Sequence, residues 1–479
     1  TAMLELESPV GLDELTPTGQ LAMAPSPLPD AATATATPAT AVAAATGPFV
    51  VNTGSARGGT LAMLATLGEC NGWSLSEGGK GGMRGSVFWV VTADDAARVL
   101  AEKKPNQRVC RIPGAVELCR KVNYTQLLRR CAPEGGFAWQ PESWIVPTED
   151  IPASAFKAGP MIMKPDGGHQ GDGIYVVTSP AALERHMPTL QQKHGETHAV
   201  VQRYIQNPMT LDGKKFDLRL YVLVLSLEPL RVFVCREGLV RVCAVDFEPA
   251  DGTNAATLGM HLTNYAVNKF EPGYQHGGAE EGQGSKRTVS GLLAALKAEG
   301  VDTAALWGRV TSLLEEATGA LTTALLEHNA ADAGSDAARD CFQIFGFDIL
   351  LDADGAPHLL EVNDKPSMGY DSVMPTADLE VGFDSTDGSE QQKELFSAAA
   401  ARLKAGGREC KCAAHPRPHV HRPCPVDLAV KAACLGDGLA MIRADMASRR
   451  AARAGGGAEA GAVEAAELAA GTSYDSLLG

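Results

Sequence analysis

No run in this 479-residue chain reaches the ~20 consecutive apolar positions that a helix needs to cross a bilayer, so no membrane span is expected. No secretory leader is expected ahead of its eleven cysteines. They are scattered, and several sit inside apolar strand-like runs, as Cys235 and Cys243 do, which fits a reducing, cytosolic compartment. Positive charge is short as well: 57 acidic against 42 basic residues leave a formal charge of −15, which argues against a general nucleic-acid-binding surface. An acidic partner must then meet a local basic face. One is expected between Glu102 and Arg130, where Lys103, Lys104, Arg108, Arg111, Arg120, Lys121, Arg129 and Arg130 outnumber Glu102 and Glu117. Another is expected at 408–453, with nine basic and four acidic residues. Met is missing from position 1, as in a trimmed or partial N-terminus.

What is present suits a large globular protein. Hydrophobic residues make up 45% of the chain, and its length allows two to three domains' worth of core. Residues 1–48, rich in Ala, Thr and Pro without a repeat of apolar positions, cannot bury enough surface to fold alone and are expected as a disordered tail. The Ala-, Gly- and Glu-rich residues 454–479 are expected as a second tail. Between them the patterning suggests an N-terminal lobe at 49–150, a central lobe at 151–270, a C-terminal lobe at 271–405, and a connecting loop with a final helix at 406–453. Helical spacing of apolar residues predicts helices over 115–129, 303–329 and 427 to about 453. Strands are predicted over 87–92, 159–164, 173–178, 216–225 and 230–235, the last two forming a hairpin. Runs of strands followed by helices, without strict alternation, indicate an α+β fold with antiparallel sheet.

The stretch Gly346 to Asn363, GFDILLDADGAPHLLEVN, carries the most chemistry. A two-residue turn at Asp354 and Gly355 pairs Leu350 with Leu359 and Asp348 with Glu361. Asp348, Glu361 and Asn363 then share one face, while Phe347, Ile349, Leu360 and Val362 point into a core. Like charges across a ladder repel, so the pair calls for a cation, and an all-oxygen set suits a hard one such as Mg²⁺ held against phosphate. The competing reading is a solvated polar face.

Further candidates lie upstream. Asp166 to Gly173, DGGHQGDG, holds four glycines in eight positions between two strands, as an anion-cradling loop does. It is not a Walker loop, since no Gly-Lys-Ser/Thr follows. Lys164 on the entering strand offers an ammonium to the same anion. In KKFDLRLY, alternation puts Asp217, Arg219 and Tyr221 on one face, where Arg219 either closes an ion pair with Asp217 or another acid, or grips an anionic ligand. Arg241, in REGLVR, poses the same choice. HLTNYAVNK, from His261 to Lys269, is either a capped turn or a loop that brings Thr263 and Asn264 to a cleft. Cys410, Cys412, His415, His419, His421 and Cys424 are zinc-ligand types, but their spacing fits no standard finger and four prolines interrupt it.

KPDGGHQGDGIY (164–175), VQRYI (201–205), DGKKFDLRLYVLV (212–224), REGLVR (236–241), HLTNYAVNK (261–269), GSKR (284–287) and GFDILL with LLEVN (346–363) stand in order. Together they resemble the tubulin-tyrosine-ligase-like family over about residues 100–445, and within it the polyglutamylase branch. The resemblance implies an ATP-grasp fold with an N-terminal α/β lobe, antiparallel sheets around a nucleotide cleft and a C-terminal helix. It implies a ligase that uses ATP to phosphorylate a glutamate carboxylate in a tubulin tail and then joins free L-glutamate to it. By the same resemblance Lys164, Gln170, Gly171, Gln202, Arg203, Tyr204, Ile205, Lys215, Phe216, Asp217, Thr263 and Asn264 bind ATP, and Asp348, Glu361 and Asn363 bind Mg²⁺. Lys164 and Arg219 are catalytic, Arg219 steadying the acyl-phosphate, and Arg241, Tyr265, Ala266, Lys286 and Lys431 take the incoming glutamate. Tubulin and microtubules are the implied partners, without nucleic acid or membrane. The implied location is the cytoplasm and cytoskeleton, including the axoneme or basal body of a cilium or flagellum. Ala266 departs from the serine common in the branch, and Asp364 and Lys365 stand where uncharged residues are usual. Two alternatives share the fold: a non-catalytic microtubule-bound or ciliary scaffold, and a ligase for another amino acid such as glycine.

Overall fold

The computed structural model describes residues 48–76, 83–168, 170–276, 284–330, 336–375, 390–405, 419–454 and 468–478. Residues 1–47 of the expected first tail lie outside them, as do Cys410, Cys412 and His415 of the Cys/His cluster. No helix among the described residues is long and apolar enough to cross a membrane.

A mixed α/β architecture is built on one large sheet and one small one, with a two-stranded ribbon of Asp371–Pro375 and His419–Pro423 beside them. In the large sheet, Ser74–Ser76, Val50–Asn52, Val87–Trp89 and Arg108–Cys110 run parallel, separated in the chain by the helices Gly58–Asn71 and Ala93–Glu102. Cys341–Leu351 is the joint. Its first residues pair parallel with Arg108–Cys110, and the rest pair antiparallel with the long strand Lys214–Ser226. Leu239–Val242 and Lys286–Thr288 extend the antiparallel half to its edge. The small sheet is antiparallel, ordered Ser143–Val146, Ala199–Arg203, Met161–Pro165, Tyr175–Val177, and carries the glycine-rich loop between its last two strands. Sheet membership thus cuts across the expected lobes, since Ser143–Val146 joins the small sheet and Lys214–Ser226 the large one.

Alternation along Lys214–Ser226 divides the core. Phe216, Leu218 and Leu220 pack with the helix Thr303–Ala330 on one face. Tyr221, Leu223 and Leu225 pack on the other beneath the C-terminal helix Pro425–Ala454. Three elements differ from expectation. The helix predicted over 115–129 is two helices, Ala115–Leu118 and Lys121–Cys131, broken by the extended residue Arg120. The break lets Asp166 of the glycine-rich loop accept from Val122 N at 2.9 Å, capping the second helix across the tertiary structure. The expected second tail contains the strand Tyr474–Leu478, which pairs with Arg231–Cys235 and buries Tyr474.

The third difference is the hairpin. Asp352 accepts from Asp354 N at 3.0 Å and Ala356 N at 2.8 Å, so the turn takes in more residues than Asp354 and Gly355 alone. Leu351 therefore pairs with Pro357, Leu350 with His358 and Ile349 with Leu359, and Leu359, not Leu360, fills the core position. A bulge at Leu360 then restores the pairing of Asp348 with Glu361.

Seven of the eight cations between Glu102 and Arg130 are paired within the chain, and Lys104 is exposed. Lys103 pairs with Asp340, Arg108 with Asp445, Arg111 with Asp364, Arg120 with Asp166, Lys121 with Glu361, Arg129 with Glu149, and Arg130 with Glu327. These cations hold the protein to itself and so are poorly suited to steering an acidic partner. In the second basic stretch Lys431 and Arg449 are likewise paired, with Asp427 and with Asp445.

Candidate functional site

Sheet register assembles charged side chains into two offset rows on one face of the large sheet. Lys286, Arg241 and Asp217 are register partners on three neighbouring strands. Two residues further along Lys214–Ser226, Arg219, Asp348 and Glu361 form the next row across three strands. The rows are stitched together by Arg241. Its Nε donates to Asp217 Oδ1 at 2.8 Å and its Nη2 to Asp348 Oδ2 at 2.8 Å. Arg219 grips Asp348 with two donors, Nη2 to Oδ2 at 2.9 Å, and Thr263 Oγ1 donates to Asp217 Oδ2 at 2.7 Å. Burial alone would raise the Asp348 pKa, but Arg219 and Arg241 hold the carboxyl well below the usual range. Arg219 thus pairs with Asp348, and Arg241 with both Asp217 and Asp348. Buried pairs of this kind add little net stability, because desolvation offsets attraction, so their value is a fixed charge pattern.

Lys164 enters this face from the small sheet. Its Nζ donates to Gln202 Oε1 at 2.8 Å and to Leu360 O at 2.9 Å, the carbonyl that the hairpin bulge turns out of the ladder. Lys121, Lys164, Gln202 and Glu361 line one small cavity. Lys121 was read only as part of a basic stretch. The helix break aims its ammonium at Gly168 O, 2.8 Å away, and at Glu361 Oε2, 3.5 Å away. In the glycine-rich loop Gln170 and Gly171 have φ of +61° and +84°, and a side chain at Gly171 would press on Asn264 Oδ1 at 3.2 Å. The loop and the turn at Thr263 and Asn264 therefore meet, as the functional reading of HLTNYAVNK requires.

Tyr204 and Lys215 form a second buried group. Lys215 Nζ donates to Tyr204 Oη at 3.1 Å and lies 4.2 Å from the ring centre, and Tyr204 Oη meets His261 Nδ1 at 2.9 Å. His261 had drawn no notice in the sequence, since nothing local ties it to a residue 57 positions earlier. Burial pushes Lys164 and Lys215 down to about 8. Two of the expected nucleotide residues turn their side chains elsewhere. Arg203 is bound to Glu142 at 2.8 Å and to the carbonyls of Ala155 and Gly159, because alternation sends it to the face opposite Gln202. Phe216 is buried in the core below the sheet. Ile205 is half-buried just after that strand.

At the sheet edge Lys286 Nζ lies 4.0 Å from the centre of the Tyr265 ring. Ala266 is half-buried on the same short helix, Tyr265–Asn268. Lys286 and Lys431 both pair with Asp427. The expected glutamate-binding residues thus do gather, with an acid in their midst that sequence reading passed over.

For a metal, Asp348, Glu361 and Asn363 supply oxygen donors only, from adjacent strands, which fits a hard cation. Asn363 Nδ2 lies 3.2 Å from Glu361 Oε1, so the amide and carboxylate converge. No group of three or more His, Cys, Asp or Glu is gathered for a metal among the described residues. Burial pushes the Cys424 thiol up to about 11, which disfavours the thiolate that zinc requires.

Over residues 99–377 the chain matches the family model described as the Tubulin-tyrosine ligase family. It is 33% identical over 305 residues to Tubulin polyglutamylase ttll-11 of Caenorhabditis elegans, covering 60% of this chain and 41% of that protein. It is 38% identical over 278 residues to Tubulin polyglutamylase TTLL11 of Homo sapiens, covering 54% of this chain and 38% of that protein. To Tubulin polyglutamylase TTLL13 of Homo sapiens it is 33% identical over 330 residues, covering 66% and 37%. The chain spans about two fifths of the length of these curated relatives.

Proposed function

The chain belongs to the tubulin-tyrosine ligase family, and we propose on that premise that it is an ATP-dependent tubulin polyglutamylase built on an ATP-grasp core. It would join free L-glutamate, through an amide bond, to glutamate side chains in tubulin tails. The observation that supports this reading most is the pair of charged rows, which runs without interruption from Glu361 to Lys286. Such a face can hold, side by side, the several anions that a carboxylate-amine ligase must bring together.

Residue roles follow from chemistry and position. Lys164, fixed by Gln202, would meet phosphate oxygens, with backbone N–H groups around Gly171 closing on the same anion. Lys215, Tyr204, Thr263 and Asn264 would complete the nucleotide site, with Gln170, Arg203, Ile205 and Phe216 contributing backbone and shape. Mg²⁺, held by Asp348, Glu361 and Asn363, would neutralise charge on the phosphates as the terminal bond breaks. Arg219, preorganised by Asp348, would stabilise charge on the acyl-phosphate. Arg241, Tyr265, Ala266, Lys286 and Lys431 would receive the amino acid, whose two carboxylates call for several cations. Microtubules, and the axoneme or basal body within the cytoskeleton, are where this activity belongs.

Incorporation of labelled glutamate into microtubules, with and without ATP, tests the reading. We expect ATP-dependent incorporation that excess glycine does not compete away. No incorporation from a chain that also fails to bind Mg-ATP would instead favour the scaffold.

The two buried lysines make nucleotide binding depend on pH. With pKa values pushed down to about 8, Lys164 and Lys215 lose most of their charge between about pH 7 and about pH 9 in the free protein. Phosphate favours the charged forms, so the Kd for Mg-ATP should rise severalfold over that range, with proton uptake on binding near pH 8. Calorimetry in buffers of different ionisation enthalpy measures both, and a Kd independent of pH would remove the ammonium role.

A further inference from the structure

Asp427 occupies the first turn of the C-terminal helix Pro425–Ala454, buried, with its carboxylate shared by two ammonium groups. Lys286 reaches one oxygen from the edge strand, beside its register partner Arg241. Lys431, one helical turn further along, lies 2.7 Å from the other. We propose that Asp427 is the positioning residue of the amino-acid subsite. It holds the two lysines in one orientation and leaves the trio with a single positive charge for one carboxylate of the incoming glutamate. This rests on the ligase reading and adds to it the residue that keeps the subsite charged.

The geometry accounts for why an acid is needed there. Two ammonium groups buried together repel, and each loses hydration that the protein must replace. A carboxylate between them answers both at once, and its placement one turn before Lys431 is the favourable i,i+4 arrangement. Among the described residues, Lys431 donates to Gly369 O at 2.6 Å and lies in ion-pair contact with Asp427, while Lys286 donates to Asp427 and faces the Tyr265 ring. An ammonium has three donors, so both lysines keep donors for a ligand. The hydroxyl of Tyr221, on the same sheet face as Arg219, is buried with no hydrogen-bond partner among the described residues and borders this group.

Charge balance makes the role measurable. The groups facing the lysines are Asp427, Cys424, Tyr265, Tyr274 and, behind Asp427, Tyr221, with Arg241 beside Lys286. Burial raises the cysteine and the three tyrosines, so they stay neutral in the range where lysines titrate. Burial opposes charge on Lys286, but Asp427 more than compensates and its pKa is raised. On Lys431 burial prevails, so its pKa is lowered even with Asp427 present. Removing the acid strips Lys431 of its main counter-charge, and its proton leaves at lower pH.

The test is calorimetric titration of L-glutamate into the full chain with Mg²⁺ and a non-hydrolysable ATP analogue, from about pH 6.5 to about pH 9.5. It compares wild type, Lys431→Met and Asp427→Asn, with melting curves to establish folding. We expect Asp427→Asn to weaken glutamate binding about tenfold or more near neutral pH, and to move the pH at which binding fades downward by about a unit. Analogue affinity should stay unchanged. A purely structural role for Asp427 would not move that midpoint. If Asp427→Asn does not fold, Asp427→Glu, which keeps the charge one methylene further out, should weaken binding while leaving the midpoint in place; wild-type affinity there counts against the proposal. A folded Asp427→Asn with wild-type affinity and pH profile overturns it. If Lys431→Met loses glutamate while Asp427→Asn does not, only the positioning role falls. If wild type binds no glutamate, the ligase reading falls with it.

Discussion

Glu361→Gln is expected to lower the proposed ATP-dependent glutamate transfer by on the order of 10²- to 10³-fold, the loss expected when one preorganised charge-stabilising group is taken away. The fold survives this change. The Glu361 side chain is 23% exposed, and its only ion pair among the described residues is the 3.5 Å contact with Lys121, an interaction worth at most about 1 kcal/mol at such a site. Melting temperature should therefore barely move while activity collapses. Asp348→Asn is a poorer test, because it also leaves Arg219 buried without a counter-charge, takes one of the two acids from Arg241, and mixes stability with chemistry. Steady-state glutamate incorporation by a folded Glu361→Gln protein is the measurement. A rate within about twofold of wild type would sink the roles proposed for the paired acids, since losing a charge from the proposed metal and phosphate site should cost far more.

Asp445→Ala has the largest expected effect on stability. Three arginines converge on this one buried carboxylate: Arg108 from a parallel strand, Arg231 at 2.7 Å from an antiparallel strand, and Arg449 at 2.9 Å from the next turn of the C-terminal helix. Arg108 has no exposed surface, and burial lowers even its pKa to about 10. Without Asp445, Arg108 and Arg231 remain buried and without an acid partner among the described residues, a situation that costs about 3–5 kcal/mol. Urea denaturation followed by circular dichroism should show a midpoint shift of that size. Because the cluster joins both halves of the large sheet to the helix that carries Asp427 and Lys431, glutamate affinity should fall with it. A loss below about 1 kcal/mol would mean that water reaches the cluster.

Much of this site was legible along the chain, where the information is local. Alternation in KKFDLRLY put Asp217 and Arg219 on one face, and it does. The pairing of Asp348 with Glu361 was also foreseen, although by an incorrect route. The turn is wider than two residues, and a bulge at Leu360 restores the register. Each of those deviations serves the site, since the bulged carbonyl holds Lys164. The helix break at Arg120 is similar. Helical periodicity runs through it, and the carboxylate of Asp166, 44 residues from the Val122 N–H that it caps, makes stopping favourable. The final strand Tyr474–Leu478 escaped notice because its flanks look like a tail, and its stability comes from the edge of Arg231–Cys235.

Residue order by itself determined which groups this protein has to work with: a cation-poor chain, a glycine-rich loop beside Lys164, two acids and an amide on one β-ribbon, and the motifs of the family. Tertiary structure alone decided the partnerships. It chose Arg219 for Asp348 over the nearer Asp217, turned an apparent basic face into internal ion pairs, and brought Lys286 and Lys431 to opposite sides of Asp427. The reason is that side-chain direction depends on neighbours two or four residues away. Compensation of a buried charge depends on which strands and helices pack together, and no local pattern encodes that.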